Sequence, residues 1–209
     1  MAIPIALIDY DMGNLHSAYK GLEISGAKPI ITNSREEILG SAAMVLPGVG
    51  SFDPAMRALR AHGLDETIEQ MIGSGKPFLG ICLGLQLLFE SSEEGSQKGL
   101  GILKGKVRRF SSQPGLTIPH MGWNQLQLTQ SDHPLWLGIA QRAQVYFVHS
   151  YYVDPSDPQI DAAKVTHGDQ TVTAAVALDN LMAVQFHPEK SAKTGLEILA
   201  NFVNLASKW

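Results

Sequence analysis

Short apolar segments alternate with amphipathic segments through the first half of the chain. Compact apolar runs at Ile5 to Asp9, Pro29 to Ile31 and Met44 to Leu46 have the length of buried strands. Between the first two, Leu15 to Ile24 carries apolar residues at helical spacing and ends at Gly26. Strands that alternate with helices in this way predict an α/β fold with a mostly parallel central sheet.

The second half of the chain has a different pattern. Asn124 to Leu128, Gln144 to Val148 and Val172 to Leu178 alternate polar and apolar residues, which predicts antiparallel strands that extend the parallel core. An apolar strand at Leu181 to Phe186 and a closing helix at Ala192 to Leu205 follow. The predicted architecture has three layers, with helices on both faces of the sheet.

Composition narrows the classes of protein that fit. The 209 residues, 44% hydrophobic and 17% charged, suit a single domain over residues 1–209. A net charge of −4 gives no electrostatic reason to expect nucleic acid or an anionic membrane as a partner. The basic cluster in the middle of the chain is interpreted as a solvated edge strand; it consists of Lys104, Lys106, Arg108 and Arg109.

The single cysteine and the apolar segments bear on where the protein works. One cysteine excludes an internal disulfide framework and a cysteine-based zinc site, and it suits a reducing cytosol. The N-terminal apolar run is too short for a secretory signal, and no segment has the length of a membrane helix. A cytoplasmic location is therefore expected.

Cys82 lies where an apolar run, Pro77 to Ile81, continues directly into a leucine-rich segment that begins at Leu83. Gly80 and Gly84 flank the cysteine symmetrically, as G-x-C-x-G. A lone cysteine among apolar residues is by default a small core side chain, but a buried strand or helix does not need both glycines. The motif predicts a nucleophile elbow, a strand-turn-helix that presents the thiol and favours its thiolate form.

Two loops at the carboxyl ends of predicted strands are expected to build the site. The loop of the nucleophile also presents Gln86, four residues after the cysteine and on the same side. The other loop, Pro47 to Gly50, could share an oxyanion hole with the N–H of Leu83, although it could also be an ordinary glycine-rich turn. Ser51 or Asp53 is expected to cap the helix that follows.

His187 is the strongest candidate for a general base among the histidines. The proline at position 188 disfavours a helix, so His187 should be extended, with the Glu189 carboxylate on the same side to orient its ring. The other histidines lie in polar contexts, or their neighbours do not fix a tautomer: His16, His62 and His133 in the first group, His120, His149 and His167 in the second.

A Cys-His-Glu arrangement predicts acyl transfer through a thioester. His187 would take the thiol proton, Glu189 would stabilise the charged ring, and Cys82 would attack an acyl carbon. Water would then release the acid. This chemistry requires neither a cofactor nor a metal.

Three motifs resemble those of the class I, triad-type glutamine amidotransferases, in the order of that family: PGVGSF, GICLGLQLLFE and QFHPEKS. DYDMGNL, PHMGWN and YFVHSY also resemble a subgroup, the glutaminase subunits that serve a cyclase of histidine biosynthesis. The family commonly has glycine where this sequence has Asp11. The resemblance extends over nearly the whole chain, and it implies the family's three-layer fold.

The resemblance also implies a function and a set of site residues. Glutamine would be hydrolysed to glutamate and ammonia, which would pass to a separate (β/α)8-barrel cyclase subunit in a heterodimer that makes imidazole glycerol phosphate. The implied roles are a triad of Cys82, His187 and Glu189; an oxyanion site at Gly50 and Leu83; substrate contacts at Gly48, Gln86, Glu94, His149, Ser150 and Tyr151; and a cyclase-facing surface at Asn14, Met121, Trp123 and Lys190. The oxyanion loop of the family can be unproductive until the partner binds its ligand.

Two alternatives stay open on the sequence alone. The chain could supply ammonia to another amidotransferase pathway, such as one for a vitamin or an aromatic amine. It could also be a non-catalytic binding module, or a general cysteine hydrolase or chaperone-like relative on the same scaffold. The joint presence of Cys82, His187 and Glu189 argues against a binding module without activity.

Overall fold

The computed structural model describes residues 2–209. In this part of the chain an 11-stranded sheet forms the centre, and a separate pair of strands lies beside it. The strands are β1 (Ile3–Ile8), β2 (Ala27–Thr32), β3 (Ala43–Leu46), β4 (Phe78–Ile81), β5 (Ser91–Ser92), β6 (Gly105–Arg109), β7 (His120–Gln125), β8 (Gln127–Leu128), β9 (Gln144–His149), β10 (Tyr151–Pro155), β11 (Asp161–His167), β12 (Gln170–Leu178) and β13 (Leu181–Val184). The α-helices are α1 (Leu15–Ile24), α2 (Arg35–Gly40), α3 (Phe52–Ala61), α4 (Leu64–Gly73), α5 (Leu83–Gln86) and α6 (Ala192–Ala206), and short 3-10 helices lie at Pro134–Trp136, Pro158–Ile160 and Pro188–Lys190.

The large sheet has a parallel half and an extension that is mainly antiparallel. Its strand order is β2-β1-β3-β4-β13-β12-β10-β6-β5, with β11 and β8 joined to the side of β12. The strands from β2 to β13 pair in parallel, and β12, β10 and β11 pair antiparallel with their neighbours. The predicted α/β class is therefore confirmed. The turn after β4 lies beside the carboxyl end of β13, so the elbow and the segment of His187 meet at one edge.

Two hydrophobic clusters lie on the two faces of the sheet. Along β1, the side chains of Ile5 and Leu7 join the cluster that contains α1 and α6. Ala6 and Ile8 join the other cluster, which contains α2, α3 and α4. Because successive side chains of a strand point to opposite faces, a strand that is apolar at every position is buried from both sides. This arrangement gives the predicted three layers.

Several local predictions hold and others need correction. Helix α1 begins at Leu15 and ends at Ile24, as predicted. The predicted strand at Asn124 to Leu128 is instead divided between β7 and β8, and β7 pairs with β9 outside the large sheet. The basic strand β6 is second from the edge, because β5 covers its outer side. Two cations of the basic cluster pair with acidic groups: Lys104, just before β6, with Glu90, and Arg108, within β6, with Asp154.

Among residues 2–209, no helix is both long enough and apolar enough to cross a lipid bilayer.

Candidate active site

The turn between β4 and α5 holds Cys82 in an unusual backbone conformation. Its φ is 55° and its ψ is −107°, a region that residues other than glycine rarely adopt and that costs about 1–3 kcal/mol. The flanking glycines leave room for this turn. A Cβ atom at Gly84 would overlap the carbonyl oxygen of Leu46, and one at Gly80 would lie 3.0 Å from the Cβ of Ala183. The crowding that the sequence predicted around the elbow is present.

The Cys82 side chain faces a cavity of about 320 Å³. Only 7% of the residue is exposed, so the thiol is reached through this cavity rather than from open solvent. Most residues implied in substrate and oxyanion contacts line the cavity, namely Gly50, Leu83, Gln86, Glu94, His149, Ser150 and Tyr151. Gly48 is not among the lining residues, and a Cβ atom there would overlap the hydroxyl of Tyr10.

His187 and Glu189 form a buried pair at the carboxyl end of β13. The Nδ1 atom of His187 lies 2.7 Å from Oε1 of Glu189, and both side chains are almost fully buried. Burial lowers the pKa of His187, but the Cys82 sulfur and the Glu189 carboxylate outweigh it and raise the pKa to about 9. The other ring nitrogen, Nε2, makes no hydrogen bond of ordinary geometry with any described residue. The sulfur is nevertheless close enough to stabilise the charged ring.

The raised pKa of His187 predicts a specific pH dependence. In the folded protein the pKa of His187 is about 9, above the ordinary value of 6.5. Protonation of His187 therefore stabilises the fold fully below pH 6.5, and this contribution is lost as the pH rises through about 9. We expect Glu189→Gln to lower the pKa of the ring in an NMR titration. It should also reduce the free energy of unfolding by about 1–3 kcal/mol near pH 6, and by much less near pH 10.

The exposed Glu69 on α4 provides the control for this prediction. Glu69→Gln should leave both the titration of His187 and the pH dependence of unfolding unchanged. A titration midpoint for His187 that is the same in the Glu189→Gln variant and the unmodified chain would contradict the assigned cause.

The loop from Pro47 to Gly50 adopts a conformation in which one candidate oxyanion donor is occupied. The N–H of Leu83 donates a hydrogen bond to the carbonyl oxygen of Gly48 at 3.3 Å. The hydroxyl of Tyr10, which is fully buried, donates to the carbonyl oxygen of Pro47 at 2.8 Å. An oxyanion could accept the Leu83 N–H only after the Gly48 carbonyl had turned away.

The capping of α3 differs from the prediction. Ser51 makes no side-chain cap, and the Asp53 carboxylate instead accepts from the backbone N–H groups of Ser96 and Gln97. The N–H of Phe52 donates to the carboxylate of Glu94 at 2.8 Å. This cap could not be predicted from the sequence, because capping rules consider only local residues and Glu94 lies 42 positions from Phe52.

The prediction that sequence neighbours do not fix the tautomer is wrong for His149, whereas distant residues fix the tautomers of His120 and His167. His149 Nδ1 lies 2.8 Å from the Tyr151 carbonyl oxygen, which can only accept, so this nitrogen carries the proton. His149 Nε2 then accepts from Nδ1 of His120 at 2.9 Å. His167 Nε2 lies 2.9 Å from the carbonyl oxygen of Thr117 and must likewise be protonated. The partner of His149 is only two positions away, whereas the contacts of His120 and His167 are made across the fold, where sequence neighbours give no sign of them.

Gln185 is a site residue that the sequence analysis did not single out. It is fully buried, and its Nε2 donates to the Cys82 sulfur at 3.7 Å. The amide of Gln86 donates to Oε1 of Gln185 and to the carbonyl oxygen of Tyr151. Gln86 therefore reaches the thiol through Gln185. The one available signal was the position of Gln185 two residues before His187, at the end of a buried strand.

The residues implied in a partner surface are accessible to different degrees. Met121 is 62% exposed and Trp123 is 52% exposed, on the outward face of β7. Lys190 is exposed, whereas Asn14 is partly buried and caps α1 by accepting from the N–H of Ser17. The structure therefore presents a methionine and a tryptophan to solvent on one strand face.

Within residues 2–209, no group of three or more histidine, cysteine, aspartate or glutamate side chains is arranged to hold a metal ion.

Comparison with known proteins identifies the family. The family model for class I glutamine amidotransferase matches residues 6–205. Imidazole glycerol phosphate synthase subunit HisH of Trichormus variabilis is 66% identical over 200 residues, which cover 96% of this chain and 95% of that protein. The protein of the same name from Trichodesmium erythraeum is 68% identical, with 96% and 94% covered.

A solved structure supports the fold independently. The structure titled PurLQS from Thermotoga maritima matches with a TM-score of 0.78 at 21% identity, and the match covers 98% of this chain and 99% of that one. At this identity the likeness bears on the fold alone. The family model and the relatives together confirm the resemblance of the sequence motifs, and the chain belongs to the class I glutamine amidotransferases.

Proposed function

We propose that this chain hydrolyses glutamine at Cys82 and delivers the ammonia to a (β/α)8-barrel cyclase, with which it forms a heterodimer. The cyclase would use the ammonia to make imidazole glycerol phosphate in histidine biosynthesis, in the cytoplasm. One observation carries the proposal. Cys82, in a strained turn, faces a cavity and lies beside the buried His187–Glu189 pair, and its sulfur helps to raise the pKa of His187.

The proposed reaction proceeds in two halves. His187 takes the proton of the Cys82 thiol, and the thiolate attacks the carboxamide carbon of glutamine. The tetrahedral intermediate collapses when His187 returns the proton to the departing ammonia, which leaves a thioester. Water then attacks the thioester, with the ring of His187 as the base, and glutamate is released. Glu189 holds the ring through Nδ1 in both halves.

The cavity offers groups that suit both ends of a glutamine molecule. The carboxylate of Glu94 could pair with the α-ammonium group, and the backbone around Ser150 and Tyr151 could hold the polar main-chain atoms of the substrate. Gly50 and Leu83 border the space in which an oxyanion would form. These roles are implied by the family resemblance, and the position of each residue on the cavity wall supports them.

The relatives favour one pathway over the other amidotransferase pathways. Proteins with 66% and 68% identity over nearly the whole chain are named as subunits of imidazole glycerol phosphate synthase. The direct test is to mix this chain with a cyclase subunit of that synthase and measure imidazole glycerol phosphate formed from glutamine. Formation of product would support the proposal. A complex that forms but releases no ammonia from glutamine would contradict it.

The exposed face of β7 predicts where the cyclase binds. Large aromatic and methionine side chains at an interface often carry much of the binding energy. We expect Trp123→Ala to weaken binding of the cyclase by about tenfold or more, measured by calorimetry. Leu137 is 71% exposed at another place on the surface, so Leu137→Ala is the control and should leave the affinity unchanged. Equal affinities for the two variants would place the interface elsewhere.

A further inference from the structure

Gln185 occupies a position that packing alone does not explain. Its side chain lies between the nucleophile and the cavity residue Gln86, and it is fully buried. Its backbone N–H donates to the carbonyl oxygen of Ala174 at 2.8 Å, which fixes the main chain at the end of β13. A buried amide needs partners for both its oxygen and its nitrogen. Here the nitrogen is directed to a sulfur atom, which is a weak acceptor as a thiol and a stronger one as a thiolate.

The direction of this hydrogen bond follows from its neighbours. The carbonyl oxygen of Tyr151 can only accept, so the atom of Gln86 that lies 3.2 Å from it must be the amide nitrogen. The same nitrogen lies 3.1 Å from the Gln185 side chain and donates its second hydrogen there. The Gln185 atom that accepts must then be the oxygen. The nitrogen of Gln185 is therefore turned towards the sulfur of Cys82.

The Tyr151 carbonyl oxygen that accepts from Gln86 also ends a second chain of hydrogen-bonded side chains. His149 donates to the same Tyr151 oxygen and accepts from His120, which accepts in turn from the side-chain amide of Asn124 at 3.1 Å. Burial lowers the pKa values of His149 and His120 to about 3 and about 4. Both rings are thus neutral near pH 7, with one donor and one acceptor nitrogen each. At its far end, Asn124 also donates to the Thr166 carbonyl oxygen.

We infer that Gln185 is a further catalytic residue, whose amide N–H holds the Cys82 sulfur as a thiolate aimed at the cavity. No bond is made or broken at Gln185. Its N–H donates from one side while His187 receives the thiol proton, so the negative charge on sulfur has a donor besides the imidazolium. Because donors to a charged acceptor contribute more than donors to a neutral one, Gln185 favours the thiolate over the thiol. The part of this inference that concerns glutamine rests on the proposed function.

The test measures the reactivity of the thiol itself in the full-length chain. The rate of alkylation by iodoacetamide is followed from about pH 5 to about pH 10, because only the thiolate reacts. Gln185→Met keeps the approximate size of the side chain and removes the donor. We expect its alkylation rate near pH 7 to fall about three- to tenfold, while the plateau at high pH stays within about twofold of the unmodified chain. The control is Gln170→Met, because the side chain of Gln170 bonds both backbone groups of Ser111 and makes no hydrogen bond with the sulfur.

A second variant keeps the test decisive if methionine disturbs the fold. Gln185→Glu preserves the shape and the acceptor for Gln86, but it places a carboxylate beside the sulfur, so the rate near pH 7 should fall further than in Gln185→Met. Thermal melting of each variant separates stability from reactivity. If either variant is less stable but has the alkylation profile of the unmodified chain, Gln185 only fills space and the inference is overturned.

This experiment is independent of the proposed function, because alkylation needs neither glutamine nor a cyclase. A shifted alkylation profile in a chain that releases no ammonia would leave the inference about sulfur standing and reject the proposed reaction. Normal ammonia release by the unmodified chain, together with an unshifted alkylation profile in the Gln185 variants, would reject the inference about the sulfur and leave the proposed reaction standing.

Discussion

Cys82→Ala is expected to abolish ammonia release from glutamine, with a fall in kcat of roughly 10⁴-fold or more, because the thioester cannot form without the sulfur. Alanine keeps the Cβ atom, so the strained turn at φ 55° experiences the same backbone sterics as before. The substitution removes one sulfur atom from the wall of an existing cavity. We therefore expect the fold and the affinity for the cyclase to change little. Ammonia release is measured in the complex, and melting and binding are measured alongside.

A bypass experiment separates lost chemistry from lost assembly. When an ammonium salt replaces glutamine, the cyclase should make product equally well with the Cys82→Ala chain and with the unmodified chain. Residual glutamine hydrolysis above about one part in 10² would mean that another group performs the attack. That result would remove Cys82 from the mechanism.

The second large effect is expected from the partner. The isolated chain should hydrolyse glutamine slowly, and the cyclase with its own ligand bound should raise kcat by about 10²-fold or more. The reason is the hydrogen bond from the N–H of Leu83 to the Gly48 carbonyl oxygen, which occupies the proposed oxyanion donor. One such donor is worth about 10²- to 10³-fold in kcat. Because the donor acts on the transition state, KM should change far less than kcat.

The interface variant provides the control for this stimulation. With Trp123→Ala, higher concentrations of cyclase should be needed, but the same maximal rate should be reached at saturation. Steady-state assays over a range of cyclase concentrations separate the two effects. Equal rates for the isolated chain and the complex would show that the loop conformation does not limit the reaction.

The sequence predicted those parts of the site whose signal is local. Cys82 could be found because its glycines lie two residues away on each side, and their steric reason is visible at Leu46 and Ala183. The pairing of His187 with Glu189 could be anticipated from a two-residue spacing in an extended segment. The parallel half of the sheet followed from short apolar runs, since strands that are buried on both faces have no polar alternation.

The remaining parts depend on contacts between distant segments. The donor of Gln185 reaches a sulfur atom 103 positions away, and the cap that Glu94 provides for α3 spans 42 positions. The pairing of β7 with β9 outside the large sheet was not predicted. Alternating polarity shows that a strand has one solvated face, but it does not show which sheet the strand joins. Whether the Leu83 N–H is bonded to the Gly48 carbonyl oxygen depends on the rotation of one peptide. No sequence pattern predicts that rotation.

The close approach of Gly84 to the Leu46 carbonyl oxygen has a consequence for how this enzyme can be regulated. β3 ends at Leu46 inside the buried core, so the turn that carries Cys82 packs directly against the end of a buried strand. The segment that continues from the same strand reaches the surface at Val49, which is 38% exposed. Under the proposed function, a partner that contacts this rim would switch catalysis on by turning the Gly48 peptide. In such a switch the sulfur of Cys82 would keep its position while the neighbouring loop changes.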